Sequence, residues 1–319
     1  MTTSRPSRLL IVLAFAAVYI IWGSTYIGIR LAIETLPPFL MAGTRFTVAG
    51  AILFFWSIIK GEGVPHSVTP WLRAFIVGGL LLLCGNGGVT WAEKYIPTSL
   101  AALLVATEPL WVVILSWILS RKRPNSKVLL GALIGLGGVA LLVSDGLSHG
   151  YGNSFLGLLG GVAVLLAGFA WAAGSVYSSR QPIQASTSMA AGMQMLAGGS
   201  LLLLLALVTG DVRHLNLGHA SWTSIAAFFY LLVFGSLIGF TAYSWLLVNV
   251  TPSSAATYGY VNPVVAVFLG WLIASEPITL RILLAAAVIV GSVVLITTFG
   301  HDHARADLHD SECPTPPCA

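Results

Sequence analysis

Residues 97–117 read PTSLAALLVATEPLWVVILSW, and residues 251–271 read TPSSAATYGYVNPVVAVFLGW. Both stretches are apolar, both have the length of a bilayer-spanning helix of about 20 residues, and both carry a proline near the middle. Pro109 of the first stretch aligns with Pro263 of the second, 154 positions later. The two stretches therefore predict a duplicated membrane-spanning element.

The duplication extends upstream of these stretches. Gly23-Ser24-x-Tyr26 matches Gly174-Ser175-x-Tyr177 at a spacing of 151 residues. Apolar segments often align by chance, but matches that keep one order across both halves indicate an internal repeat. We therefore predict one repeat over residues 9–147, a second over residues 154–299, and a disordered, polar tail over residues 300–319.

The composition excludes a water-soluble protein. Hydrophobic residues make up 57% of the 319 residues and charged residues 8%, whereas soluble domains carry about 25% charged residues. A transmembrane β-barrel is also excluded, because its strands alternate apolar and polar residues in segments of about ten. Lipid must therefore cover the chain, and its net charge of +4 reflects loop residues rather than a nucleic-acid-binding surface.

The apolar runs predict an all-α polytopic membrane protein with ten transmembrane helices. Proline, glycine and charged residues separate the runs and mark the turns between them. The ten helices are predicted at residues 9–32, 38–59, 72–92, 97–119, 127–144, 154–178, 187–208, 222–248, 252–274 and 279–299.

The two five-helix repeats are predicted to lie inverted in the membrane, because an odd number of helices makes the second repeat enter from the opposite side. Cytoplasmic loops concentrate Lys and Arg. With both termini in the cytoplasm, only Arg30, Lys94, Arg213 and Arg281 lie in outer loops. The cytoplasmic set is larger and comprises Arg5, Arg8, Lys60, Arg73, Arg121, Lys122, Arg123, Lys127, Arg180 and Arg305.

Inverted repeats are typical of transporters, in which a site near the midplane opens alternately to each side. The loops of the two halves agree with this arrangement. The basic connection at residues 121–124 has a counterpart at residues 275–278 that carries no positive charge. The sequence thus predicts an alternating-access carrier.

Four short motifs resemble the EamA family of the drug/metabolite transporter superfamily. They are Trp22-Gly23-Ser24-Thr25-Tyr26, Arg45-Phe46, Thr107-Glu108-Pro109 and Asn262-Pro263, and the resemblance covers residues 9–299. It implies ten helices in two inverted repeats, cytoplasmic termini, and export of small metabolites such as amino acids across the bacterial inner membrane.

Arg45 and Glu108 are the charged candidates for the transport site. A charge at a helix centre costs about 2.5–3.5 kcal/mol on insertion scales, so such a residue usually faces protein or water. Three interpretations are open: a structural ion pair between them, a Glu108 anchor for the amino group of a zwitterionic or cationic substrate, and a Glu108 that carries a coupling proton. Asn262 aligns with Glu108 in the second repeat, which argues against a symmetric two-carboxylate relay.

Aromatic and uncharged polar side chains complete the predicted substrate site. Such residues line apolar cavities that have a few polar contacts, and for each of them packing in the core is the alternative. Pro109 and Pro263, which each free a backbone carbonyl one turn earlier, are predicted as kinks or as hinges. The remaining site candidates are Trp22, Ser24, Tyr26, Asn86, Trp91, Trp111, Trp171, Tyr177, Gln194, Tyr243, Tyr258, Tyr260 and Asn262.

The sequence therefore predicts a secondary transporter that exports amino acids or related small metabolites through the lipid bilayer. A drug or lipophilic-cation efflux carrier of the same fold is the alternative. A membrane-embedded enzyme is disfavoured because the chain lacks the metal, nucleophile-elbow and phosphate-loop motifs, and a channel is more naturally a symmetric oligomer. No cofactor or metal is predicted, since the spacing of the tail residues His301, Asp302, His303, His309 and Cys313 fits no compact site.

Overall fold

The computed structural model describes residues 7–96, 98–121, 123–143, 155–274 and 280–311. Within these residues the chain is helical and contains no strand, which confirms the predicted all-α class. The helices are α1 (Arg8–Ile33), α2 (Pro38–Ile59), α3 (Val68–Ala92), α4 (Thr98–Val105), α5 (Glu108–Ser120), α6 (Ser126–Val143), α7 (Phe155–Arg180), α8 (Thr187–Val208), α9 (Trp222–Asn249), α10 (Pro252–Ala255), α11 (Tyr258–Ala274) and α12 (Leu280–Ser311).

Six of the described helices, α1, α2, α3, α7, α8 and α9, are long and apolar enough to cross a membrane. Shorter apolar segments accompany them at Glu108–Ser120, Ser126–Gly138 and Leu283–Ile296. Large apolar side chains such as Phe55 and Leu166 are exposed on these helices, as expected where lipid rather than water is the solvent. The chain is therefore a polytopic membrane protein.

The predicted helices 97–119 and 252–274 are each interrupted, which corrects the expectation of two continuous spans. Ala106 and Thr107 separate α4 from α5, and Ala256 and Thr257 separate α10 from α11. Both pairs are Ala-Thr, at a spacing of 150 residues rather than the 154 that separates Pro109 from Pro263. A break of this kind leaves backbone groups outside the helical hydrogen-bond pattern.

The two prolines near these breaks are not equivalent in the fold. Pro109 is the second residue of α5, and proline is tolerated in the first turn of a helix but has no N–H to continue the hydrogen bonds of a preceding one, in agreement with a break just before it. Pro263 lies inside α11, beyond the first turn. The expectation that both prolines occupy mid-helix positions is therefore correct for Pro263 and wrong for Pro109.

π-Helical segments interrupt α3 at Gly79–Asn86 and α9 at Leu231–Phe240. A π turn inserts an additional residue into the helix and is most often found at functional sites. The spacing of apolar residues gave no indication of either segment. All faces of these helices are apolar, so an inserted residue leaves the hydrophobic pattern unchanged. Both segments supply walls of the central cavity.

The last helix extends further than predicted. α12 continues to Ser311, so residues 300–311 are helical, whereas a disordered tail was expected from residue 300. Extending an existing helix is easier than nucleating one, and no proline follows until Pro314. The predicted loop at 144–153, the connection at 275–278 and the tail beyond residue 311 lie outside the described residues.

Glycine allows α2 and α8 to cross closely. A Cβ atom added to Gly50 would lie 2.9 Å from the carbonyl oxygen of Gly192, and one added to Gly199 would lie 3.1 Å from that of Gly43. Distances this short leave no room for a side chain, and small residues at helix crossings are the usual means of close packing in membranes. This crossing joins the N-terminal and C-terminal halves of the chain.

Asp211 caps α2 from a distant part of the chain. Its Oδ2 atom accepts hydrogen bonds from the backbone N–H groups of Phe39 at 2.8 Å and Leu40 at 3.4 Å, while Pro37 at the N-cap position provides no side-chain bond. We expect Asp211→Ala to lower the free energy of unfolding by about 1–2 kcal/mol, because the cap and its favourable charge at the helix N-terminus are lost.

Thermal unfolding in detergent measures this effect of the Asp211 cap. Asp211→Asn keeps an acceptor oxygen and should unfold between the wild type and the alanine variant. Glu34→Gln, an acid-to-amide change at an exposed site, is the matched control and should leave the unfolding temperature unchanged. An Asp211→Ala variant as stable as the wild type would show that the cap contributes nothing.

Candidate functional site

A central cavity of about 80 Å³ lies between the two halves of the chain. This volume is smaller than the roughly 300–1,000 Å³ of typical ligand cavities. The wall is mainly apolar and aromatic, with a few charged and amide groups. Helices of both halves contribute to it, with side chains that include Trp22, Tyr26, Arg45, Phe46, Asn86, Glu108, Trp171, Phe240, Tyr258 and Asn262.

Glu108 is held where the two interrupted helices meet. It is the first residue of α5 and is 1% exposed. The hydroxyl group of Tyr258, the first residue of α11, donates a hydrogen bond to Glu108 Oε2. Close packing supports this contact, since a Cβ atom added to Gly259 would lie 3.3 Å from Pro109. A single carboxylate therefore reaches the cavity wall from a fixed position.

Arg45 lies on the same wall but binds a different partner. Its Nη2 atom donates to Asn86 Oδ1 at 2.9 Å, and its guanidinium carbon lies 4.2 Å from the centre of the Phe46 ring. Asn86 comes from the π-helical segment of α3. The described contacts contain no ion pair between Arg45 and Glu108, so that interpretation is wrong for this conformation.

Three buried polar atoms on the cavity wall have no hydrogen-bond partner among the described residues. They are Nε of Arg45, Oε1 of Glu108 and Oδ1 of Asn262. Buried polar groups in proteins are nearly always paired, and leaving one unpaired costs about 1–3 kcal/mol. A donor and two acceptors that line one cavity are thus suited to bind a polar molecule that enters it.

The rings of Trp22, Trp171 and Tyr258 line the cavity, and the ring of Tyr243 packs against all three. The Trp22 ring centre lies 4.9 Å from those of Tyr243 and Tyr258 and 5.4 Å from that of Trp171. The indole of Trp22 donates to the carbonyl oxygen of Gly235 at 3.1 Å. Offset and edge-on ring contacts of this kind stabilise by about 0.5–1.5 kcal/mol each, so this wall is rigid.

Some predicted site residues line the cavity and others do not. Trp22, Tyr26, Asn86, Trp171, Tyr258 and Asn262 do, together with Arg45 and Glu108. Tyr243 supports the aromatic wall from behind through hydrogen bonds with Ser175 and Trp171. The other predicted residues lie outside the lining: Ser24, Trp91, Trp111, Tyr177, Gln194 and Tyr260.

The residues outside the cavity have contacts of their own. Ser24 shares a hydrogen bond with Tyr230 at 2.5 Å, and Tyr260 donates to the carbonyl oxygen of Ala132 at 2.9 Å. Gln194 accepts from Ser244 at 3.5 Å, and the Trp111 ring packs edge-on against Phe169. For these side chains the packing alternative is the one that the fold supports.

The sequence prediction missed several residues of the site and its surroundings. Thr25 and Phe46 line the cavity, and both belong to motifs that carried the family resemblance, so a signal for them was available. Gly85 and Gly235 also line it, on the two π-helical segments. Glu93 was assigned to a loop after the third helix, yet it is fully buried.

Comparisons with known proteins identify the family. The sequence model of the EamA-like transporter family matches residues 9–144 and 158–298. The chain belongs to this family. The resemblance seen in the short motifs is thereby confirmed, and the protein is a membrane transporter.

Individual relatives extend over almost the whole chain. The uncharacterized inner membrane transporter YedA of Escherichia coli strain K12 is 40% identical over 285 residues, which is 89% of this chain and 89% of YedA. The uncharacterized transporter YoaV of Bacillus subtilis strain 168 is 26% identical and covers 90% of this chain. A solved crystal structure, 22% identical, superposes with a TM-score of 0.71 over 92% of this chain, which supports the fold.

Proposed function

We propose that this protein is an inner-membrane carrier that exports amino acids or related zwitterionic metabolites by alternating access. The observation that carries the proposal is the group of unpaired polar atoms on one cavity wall: Arg45 Nε, Glu108 Oε1 and Asn262 Oδ1. A molecule with one anionic and one cationic group satisfies the donor and the acceptors together. The inner-membrane location follows the name of the relative YedA.

The chemistry of the wall favours a substrate with two charges and an apolar part. Arg45 offers a guanidinium to a carboxylate, and Glu108 offers a carboxylate oxygen to an ammonium group. Both side chains are buried, and electrostatic contacts between buried groups are stronger than in bulk water. The rings of Trp22 and Trp171 provide a flat surface for an aromatic or medium-sized side chain.

Reciprocal contacts between the halves support an inverted repeat. Gly43 and Gly50 of α2 each precede a glycine of α8 by 149 positions, Gly192 and Gly199 respectively. By this spacing Gly192 is the counterpart of Gly43, and Gly199 is the counterpart of Gly50. In the structure the partners are exchanged, because Gly50 approaches Gly192 and Gly43 approaches Gly199. A two-fold axis produces this exchange of partners, and inverted repeats place a binding site on such an axis.

The two helix breaks provide joints for alternating access. The first residues after the breaks, Glu108 and Tyr258, bond to each other. They are 150 positions apart, so this pair follows the spacing of the breaks rather than the alignment that places Asn262 opposite Glu108. Discontinuous helices that meet at a central site are typical of transporters with inverted repeats. We propose the breaks at Ala106-Thr107 and Ala256-Thr257 as the hinges, with Pro109 and Pro263 stiffening the helices that follow.

Efflux of lipophilic cations is the second candidate function. The aromatic wall around Trp22 and the Glu108 carboxylate favour it, since rings and a carboxylate both attract cations. Arg45 opposes it, because its guanidinium lines the same cavity and repels a cation that has no carboxylate to offer.

Counterflow in liposomes tests the carrier and identifies its substrate class. We expect preloading with an unlabelled amino acid to accelerate uptake of the labelled one several-fold, because a loaded carrier reorients in both directions. The panel contains aromatic and aliphatic amino acids, nucleosides, polyamines and lipophilic cations, and protein-free liposomes provide the background. Acceleration by lipophilic cations alone would favour the second candidate, and uptake without acceleration by any compound would contradict a carrier.

A further inference from the structure

Glu93 is a buried acid that the substrate site does not use. It follows directly after the last residue of α3 and is 0% exposed. Neither Oε1 nor Oε2 has a hydrogen-bond partner within the described part of the chain. A carboxylate without partners is costly to bury in its charged form, so the position calls for either a bound cation or a bound proton.

The surroundings of Glu93 place it one helical turn from the cavity. Its backbone N–H donates to the carbonyl oxygen of Val89 at 3.0 Å, and Val89 lines the cavity. The exposed Arg30 donates through Nη1 to the carbonyl oxygen of Glu93 at 2.6 Å. Glu93 therefore lies between the cavity wall and an exposed end of α1.

Charged and titratable groups face Glu93 from several elements. Tyr26 of α1 lines the cavity and packs in one cluster with Ala92 and Ile96, the buried residues on either side of Glu93. The part of α7 that packs on the end of α3, residues 160–167, contains no titratable residue, and neither does α4. The groups to consider are Arg30 and Tyr26 on α1, Arg45 on α2, Lys94 beside Glu93 itself, and Glu108 on α5.

The charge balance at this position favours a proton over a metal or an organic cation. Burial raises the pKa of the Glu93 carboxyl well above its ordinary value, and the nearby Arg30 guanidinium opposes that rise. Arg30 also disfavours a second cation, because its own positive charge lies beside the carboxyl group. A proton needs no additional space, whereas Ala92 and Ile96 on either side of Glu93 are fully or almost fully buried.

We propose that Glu93 is a proton-binding site of this transporter, separate from the substrate anchor Glu108. A proton from the solution beside Arg30 adds to a Glu93 carboxylate oxygen, and in coupled transport it leaves to the opposite side by way of the cavity one helical turn away. Because Glu93 lies one helical turn from the cavity that Glu108 lines, a proton on Glu93 and a cationic group at Glu108 influence each other through their charges. The coupling role rests on the proposed carrier function, but the protonation of Glu93 does not.

Infrared spectroscopy tests the protonation without any substrate. The purified full-length protein in phosphatidylcholine nanodiscs, whose lipid has no titratable carboxyl group, is titrated from neutral to alkaline pH. We expect the wild type to retain a protonated-carboxyl C=O band at neutral pH and to lose it as the pH rises. Glu93→Gln should remove this component, while Glu108→Gln should keep it. A band of unchanged intensity in Glu93→Gln would overturn the proposal.

Two further variants separate protonation from a structural role. Arg30→Gln removes the cation that favours the charged acid, so the midpoint of band loss should move to higher pH. Glu93→Asp keeps a carboxyl group and should keep a titrating band with a shifted midpoint, even if Glu93→Gln folds poorly. A midpoint that neither variant moves would overturn the assignment.

Transport then tests the coupling. With the amino acid that counterflow identifies as the probe, we expect an imposed pH gradient to accelerate wild-type transport several-fold. In Glu93→Gln the ratio of the rates with and without the gradient should fall to about one. An unchanged ratio would overturn the coupling role, while failure of counterflow in the wild type would instead contradict the carrier function and leave the infrared result standing.

Discussion

Replacing Glu108 with glutamine is expected to reduce transport about 100-fold while the protein folds normally. The change removes the negative charge that we propose to hold the substrate ammonium group. Loss of a charged hydrogen bond in a desolvated site costs about 3 kcal/mol, and each 1.4 kcal/mol corresponds to a factor of ten in binding. Glutamine is nearly isosteric and still accepts the Tyr258 hydrogen bond, so the break between α4 and α5 should keep its geometry.

Counterflow of the identified amino acid measures the effect, and size-exclusion chromatography with thermal unfolding verifies the fold. Glu34→Gln is the matched control, because Glu34 is exposed at the end of α1 and remote from the cavity wall. It should transport at the wild-type rate. Normal transport by Glu108→Gln would remove Glu108 from the site and with it the proposed substrate orientation.

Tyr258→Phe separates positioning from charge in the same site. It deletes only the hydroxyl group that bonds to Glu108, so we expect a smaller loss than in Glu108→Gln. The carboxylate keeps its charge but loses a partner that fixes its direction. This comparison belongs to the same transport assay and uses the same control.

The sequence was sufficient for the bounds of some helices and for two charged residues of the cavity. Apolar runs of spanning length defined α2 and α8 to the residue, because proline or a serine cap begins each helix at its boundary. Arg45 and Glu108 were identifiable because a charge within an apolar helix is costly in lipid. Both residues do line the cavity.

Sequence reasoning could not select among aromatic residues, because every face of these helices is apolar. Trp22 and Trp111 each lie in an apolar helix, yet only Trp22 lines the cavity. A membrane helix lacks the polar face that tells buried from exposed positions in a soluble protein. The additional residue in each π-helical segment rotates the following part of the helix. The side of the helix on which Gly85 and Gly235 lie therefore cannot be read from the spacing of apolar residues.

Glu93 illustrates a different gap between sequence and structure. A charged residue just beyond a helix normally faces water, and Lys94 beside it does so. Glu93 is buried because α1 and α7 pack against the end of α3, where Arg30 bonds to its carbonyl oxygen. Contacts between residues that are distant in the chain decide this burial, and they are not visible in the local sequence.

Replacing Arg45 with glutamine is expected to change which substrates are transported. The guanidinium is proposed to bind the substrate carboxylate, so transport of an amino acid should fall about 100-fold, again for a loss of about 3 kcal/mol. Transport of the corresponding amine, which lacks the carboxylate, should not fall, because Arg45 only repels it. The ratio of the two rates therefore reports on Arg45 independently of total activity.

Counterflow with an amino acid and with its decarboxylated amine measures this ratio. Arg45→Lys retains the charge but lacks the planar donor pair of arginine, so an intermediate ratio is expected. Arg213→Gln makes the same change at an exposed loop position and should leave the ratio unchanged. Equal losses for both compounds in Arg45→Gln would mean that the bond from Arg45 to Asn86 supports the fold of the cavity rather than the recognition of a carboxylate. The cation-efflux alternative would then gain, because the cavity would retain only the carboxylate of Glu108 and the aromatic wall as recognition elements.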